Sequence, residues 1–244
     1  MCAIFGIVGE YNSTLARTAL ATLSHRGKDH CGIVEKNNLF FAHHRLSIQD
    51  LSSTAHQPLS HKNILLSFNG EIYNHKELRH ELCNTYDFKT SSDSEVLIAA
   101  YLKWGVDFVH HLRGMFAIAL FDTDSLYLFR DRLGKKPLFF MNDSSFRFAS
   151  EMKALVPFLQ KKQMNDDALM SYLSFLAPTP PHTFFQGIQK LAAGEYLIFK
   201  NKEFHVKRYF DLLDNTPNLI TSTDEAVHKL STLLEESISM RLHS

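Results

Sequence analysis

An α+β sandwich, with stacked antiparallel sheets covered by helices, is the fold class this sequence predicts. Three observations carry it. Short apolar runs recur through the first two-thirds of the chain, turns as brief as DTDS at 122–125 and NDSS at 142–145 join some of them, and segments with apolar residues at helical spacing interleave. Turns this short favour antiparallel hairpins over parallel strands, which need crossover helices. Runs that are apolar on both faces need covering on both sides, hence stacked sheets with helices outside.

In chain order, strands are expected at 2–8, 39–45, 64–68, 115–121, 126–130, 137–141 and 146–149, and a hairpin at 195–200 and 203–209 across the Asn201-Lys202 turn. Helices are expected at 14–24, 75–82, 94–104 and 166–175, the third opened by a capping box of Ser92 and Glu95. Residues 211–222 read as a linker. The final segment, 223–244, carries a helix over 224–242 with Ala226, Val227, Leu230, Leu233, Leu234, Ile238 and Leu242 on one face and a second capping box, Ser222 with Glu225.

Composition narrows the function. Lysine plus arginine equal aspartate plus glutamate at 26 each, which gives no net positive field for nucleic acid or an anionic membrane. The apolar runs are too short to span a bilayer, no signal peptide opens the chain, and three cysteines without CxxC spacing suit a reducing compartment, so a cytoplasmic protein is expected. Fourteen histidines are scattered without HExxH or paired Cys/His spacing, so no metal is expected.

Cys2 follows the initiator methionine directly. Taken alone it reads first as a small core residue. Methionine removal would put a thiol and a free α-amine on one residue, and an amine titrating near neutral pH can serve as the base for the thiol. Three segments supply matching chemistry: HRGKDHCG at 25–32, HHRLSIQDLS at 43–52, and SFNGEIYNH at 67–75 followed by SSDSEV at 91–96. Asn69-Gly70, read as the exit of a strand, offers an amide and an approachable N–H for an oxyanion, or else an ordinary turn. Arg45 could fork onto a carboxylate, and Glu71 and Asp93 could receive an ammonium.

With these segments, the ordered set MCAIFGIVG, HRGKD, HHRLSI, QPL, FNGEIYNH, SDSEV, LRGMFAIALFD, RDRLGKKPLFF, FASEMKAL and GIQKLAAGEYLIF resembles the N-terminal glutaminase domain of glutamine-hydrolysing asparagine synthetases. These are class II glutamine amidotransferases, within the N-terminal nucleophile hydrolases. The resemblance implies a four-layer α-β-β-α sandwich over 2–210. It implies glutamine as substrate, Cys2 as nucleophile with its α-amine relaying the proton, Asn69 and Gly70 as oxyanion donors, Arg45 for the α-carboxylate, Glu71 and Asp93 for the α-ammonium, and Arg26 and Asn74 in support. The cysteine thioester formed would be hydrolysed by water, and the ammonia would serve ATP-dependent amidation of aspartate.

Lys28 departs from the resemblance, standing where the family commonly has proline. The segment 223–244 resembles the first helix of the synthetase domain, but no SGGxDS loop, Gly-Gly pair or Walker motif occurs. No cofactor is therefore expected in this chain, with ATP and magnesium implied only for a synthetase domain. A synthetase domain or subunit and a homodimer are open as partners. An amidotransferase subunit acting in trans and a catalytically silent, glutamine- or partner-binding remnant are the alternative readings.

Overall fold

The computed structural model describes residues 1–48, 50–214 and 220–242. Of the expected linker, residues 215–219 lie outside the described residues.

Among the described residues, twelve strands form two antiparallel six-stranded sheets. The first holds β1 (Ala3–Val8), β2 (His30–Lys36), β3 (Leu39–Arg45), β8 (Phe139–Asn142), β9 (Phe146–Ala149) and β10 (Gln189–Lys190), in the order β10-β8-β9-β1-β3-β2. The second holds β4 (Leu59–His61), β5 (Ile64–Ile72), β6 (Gly114–Asp122), β7 (Ser125–Arg130), β11 (Glu195–Lys200) and β12 (Glu203–Arg208), in the order β12-β11-β7-β6-β5-β4. The helices are α1 (Ser13–Ala21), α2 (His75–Leu82), α3 (Asp93–Trp104), α4 (Asp166–Phe175) and α5 (Thr223–Arg241).

Strand alternation builds the layers, because successive side chains leave opposite faces of a strand. Phe5, Ile7 and Phe40 pack with Ala16, Leu20 and Leu23, sealing the first sheet under α1. Ile4, Leu39 and Phe41 turn the other way and meet Leu65, Ala119 and Leu128 of the second sheet. Phe68, Ile72, Phe116 and Ile118 then pack outward on Val96, Leu97 and Leu82 of α3 and α2. Three apolar interfaces thus separate four layers, in the order α-β-β-α.

Several local expectations are corrected. The strands β2, β4 and β10 were not foreseen: β4 and β10 are very short, and β2 is an edge strand carrying His30, Glu35 and Lys36, with no apolar run to mark it. The strand predicted at 64–68 continues to Ile72, and Asn69 and Gly70 pair with Ala117 and Phe116 inside it, so they do not leave the strand. The Ser92–Glu95 capping box does not form. Ser92 is the N-cap, but its side chain caps nothing. Glu95 instead accepts from the Lys89 N–H, the Thr90 N–H and the Thr90 hydroxyl, at 3.0, 2.8 and 2.8 Å. A buried carboxylate is better satisfied by three donors of the folded-over 89–90 loop than by one at the cap. At α5 half of the box is present, the Glu225 N–H donating to Ser222 Oγ at 3.4 Å.

Candidate active site

Cys2 stands immediately before β1, two residues ahead of Ile4, so alternation turns its side chain toward the layer between the sheets. Arg45 shares the inward face of β3 with Leu39 and Phe41, while Asn69 and Glu71 share that of β5 with Leu65. The two sheets therefore bring these side chains to one end of their common interface. Cys2, Arg45, Asn69, Gly70, Glu71 and Asp93 all line a single cavity of about 100 Å³.

The thiol is held by its neighbour across the strand ends. The Leu46 N–H donates to Cys2 Sγ at 3.4 Å, and the thiol faces the Leu46 carbonyl at 3.6 Å. Burial pushes the Cys2 pKa above its ordinary value, against the opposing effects of the Leu46 backbone bond and the chain-terminal amine. A resting thiol of this kind needs a base before it can attack.

Opposite it, Asn69 is almost wholly buried, and its Nδ2 has no hydrogen-bond partner among the described residues. An unpaired buried amide is costly, which marks a donor awaiting an acceptor. The Gly70 N–H lies beside it for a reason set by the ladder. Phe68 N–H donates to Gln57 Oε1 at 2.6 Å and Ile72 N–H to Asp93 Oδ2 at 3.0 Å, both on the β5 edge away from β6. Alternation puts the Gly70 N–H on that same edge, between them. Glycine is required there: a Cβ would lie 2.1 Å from the Met115 carbonyl oxygen.

Asp93 opens α3 and is buried, so its pKa rises to about 7, chiefly by desolvation and further by the nearby Glu71 charge, against the Ile72 N–H bond. Arg45 is buried as well. Its Nη1 donates to the Ser52 carbonyl at 2.9 Å and its Nη2 to the Asp50 carbonyl, which fixes the guanidinium plane at the cavity wall.

The expected support residues sit behind this wall. Arg26 Nε donates to the Cys2 carbonyl at 2.9 Å and its Nη1 pairs with Glu151 at 2.8 Å, fixing the backbone of Cys2. Asn74 clamps the loop before β6 instead, donating to the His111 carbonyl and accepting from the Arg113 N–H at 3.0 and 2.8 Å. Lys28 is exposed. Its loop is pinned by neighbours, the Asp29 N–H bonding the Arg45 carbonyl at 3.0 Å and Asp29 Oδ2 accepting from the Ser47 N–H at 2.6 Å.

Among the cavity residues to which the sequence assigned no role are Gln57 and Lys136. Each lay inside a quoted motif, QPL and RDRLGKKPLFF, that carried the resemblance without an assigned role. Among the described residues no group of three or more side chains could hold a metal ion, and no helix is long and apolar enough to cross a membrane.

The glutamine amidotransferase domain family matches residues 1–210. Asparagine synthetase [glutamine-hydrolyzing] 3 of Bacillus subtilis (strain 168) is 33% identical over 233 residues, covering 91% of this chain and 38% of that protein. Asparagine synthetase B [glutamine-hydrolyzing] of Escherichia coli (strain K12) is 44% identical over 168 residues, covering 64% of this chain and 30% of that protein. The chain thus spans only about a third of the length of these relatives. In solved structures, a glutamine phosphoribosylpyrophosphate amidotransferase from B. subtilis, complexed with ADP and GMP, superposes with a TM-score of 0.64 at 22% identity, over 86% of this chain and 49% of that one. That likeness is one of fold, and it agrees with the two-sheet sandwich. With a family match that runs from the cysteine through both sheets, this chain belongs to the glutamine amidotransferase domain family.

Proposed function

We propose that this domain hydrolyses free glutamine to glutamate and ammonia through a thioester on Cys2. The observation that carries the reading is the pairing of a nucleophile with oxyanion donors: the unpartnered Asn69 Nδ2 and the edge-facing Gly70 N–H line the same cavity as the Cys2 thiol. Cys2 Sγ attacks the side-chain carboxamide carbon, the carbonyl oxygen becomes an oxyanion held by Asn69 and Gly70, and the C–N bond breaks as the leaving nitrogen takes a proton. Water then adds to the thioester carbonyl, the C–S bond breaks, and glutamate leaves with the thiol restored.

Met1 precedes Cys2 and lines the cavity mouth. Its removal would widen that mouth and free the Cys2 α-amine, the group suited to carry the thiol proton to departing ammonia. Arg45 would hold the substrate α-carboxylate, and Glu71 and Asp93 its α-ammonium. Both ends of a free amino acid then find opposite charge, which selects glutamine over an amide within a peptide. Arg26 acts through the Cys2 backbone. The names of the relatives suggest the fate of the ammonia, amidation of aspartate by an ATP-dependent synthetase domain or subunit.

The purified chain is expected to release ammonia and glutamate from glutamine. Asn69→Ala should lower kcat by about 10²–10³ with little change in KM, the usual cost of losing one oxyanion donor. A variant with unchanged kcat and a raised KM would assign Asn69 to substrate binding and remove the oxyanion hole from the account.

A further inference from the structure

The loop after β7 is built to deliver one lysine. Asp131, buried at the strand end, accepts from the N–H groups of Phe116, Leu133, Lys135 and Lys136 at 3.2, 3.2, 2.9 and 2.9 Å. The adjacent Arg130 donates from Nε to the Lys136 carbonyl at 2.8 Å. Both backbone polar groups of Lys136 are thus gripped by buried charged side chains, and its own side chain lines the cavity with Cys2. Lys136 is 8% exposed, and its ammonium has no hydrogen-bond or ion-pair partner among the described residues. Lysine is almost never buried without a partner, because desolvating an unpaired ammonium is expensive.

Charge matching says what the partner is. The charged groups around Cys2 are Arg45 on β3, Glu71 on β5, Asp93 at the head of α3, Arg26 behind the Cys2 carbonyl, the chain-terminal amine and Lys136. Arg26 is already paired with Glu151. Resting on the glutaminase reading, glutamine brings one carboxylate for Arg45 and one ammonium for Glu71 and Asp93. Glu71 and Asp93 share that one ammonium, burial and the Glu71 charge having pushed Asp93 up to about 7. Lys136 is the cation that no substrate group takes, and the further negative charge in the reaction arises at the reacting end. We propose that the Lys136 ammonium stabilises the Cys2 sulfur as thiolate for attack, a catalytic cation set in place by the Asp131 and Arg130 clamp. It transfers no proton and forms no bond. Its effect is electrostatic and strongest where water is excluded.

The test is the pH dependence of Cys2 alkylation by iodoacetamide, read by peptide mass in the full chain without glutamine. In Lys136→Met the alkylation midpoint should rise by about one unit, the ordinary effect of losing a neighbouring opposite charge. Lys136→Arg should keep the wild-type midpoint, and Cys31 and Cys83, both exposed, serve as controls in the same sample. Glutamine turnover should fall roughly tenfold in Lys136→Met with KM changed less than about threefold. Lys136→Gln replaces the methionine variant if that one does not fold. An unchanged midpoint in a folded neutral variant would overturn the proposal, as would Lys136→Arg behaving like the neutral variants. A wild-type chain that releases no ammonia would refute the glutaminase reading separately, since the alkylation arm needs no turnover.

Discussion

On the proposed assignment of Asp93 to the substrate ammonium, a single burial couples glutamine binding to stability. Its carboxyl loses hydration at the head of α3 and titrates near 7, so near neutral pH about half the free protein carries it protonated. An ammonium requires the ionised form. KM for glutamine should therefore rise roughly tenfold as pH falls from 8 to 6, because the ionised fraction falls by that factor across a pKa near 7. The sign for stability is opposite. A carboxyl pKa raised on folding costs nothing below its unfolded value of about 3.9, and the cost grows as pH rises toward 7. Asp93→Asn should thus raise the melting temperature at pH 8 while weakening glutamine. A KM that stays flat from pH 6 to 8 would show that Asp93 does not receive the ammonium. At this scale much of the candidate site was legible: Arg45, Asn69, Gly70, Glu71 and Asp93 sit in polar, chemically specific segments, Cys2 stands out by its place behind Met1, and all six line one cavity. Lys136 was not, because a lysine in a polar loop looks like any solvated one until Asp131 and Arg130 fold the loop inward.

Elements were legible where they lie deep and less so at the margins. Strands β1, β3, β6, β7 and β9 carry apolar runs that mark them in sequence, whereas β2, β4 and β10 are held by partners rather than by composition. The extension of β5 through Asn69 and Gly70 was hidden for a related reason. An Asn-Gly pair signals a turn locally, and only the β6 ladder overrides it. Helix α5 has the foreseen amphipathic stripe, yet Val227, Leu230, Leu233, Leu234 and Ile238 all remain more than half exposed. It touches the domain through contacts such as Arg241 over the Tyr73 ring at 4.6 Å, and none of its residues is buried. Deleting residues 223–244 should leave glutamine turnover within about twofold and the melting temperature within a few degrees, the ordinary consequence of removing side chains that bury little apolar area. Sedimentation of the two forms should show less self-association in the shorter one. Unfolding or lost turnover on deletion would make α5 part of the catalytic domain.

Across the whole molecule, two sheets place a cysteine that immediately precedes β1 in one cavity with Asn69, Gly70 and Glu71 of β5. The inter-sheet core of Ile4, Phe41, Leu65 and Leu128 fixes their spacing, and the helices on either side hold each sheet flat against it. Function then depends on whether Cys2 is the nucleophile and its own amine is free. The decisive measurement is acid quenching of the protein during glutamine turnover, followed by peptide mass analysis. A glutamyl group should be found on the sulfur of Cys2, in a peptide that begins with Cys2 and lacks Met1. A glutamyl group on any other residue, or full turnover by protein that retains Met1, would contradict the account.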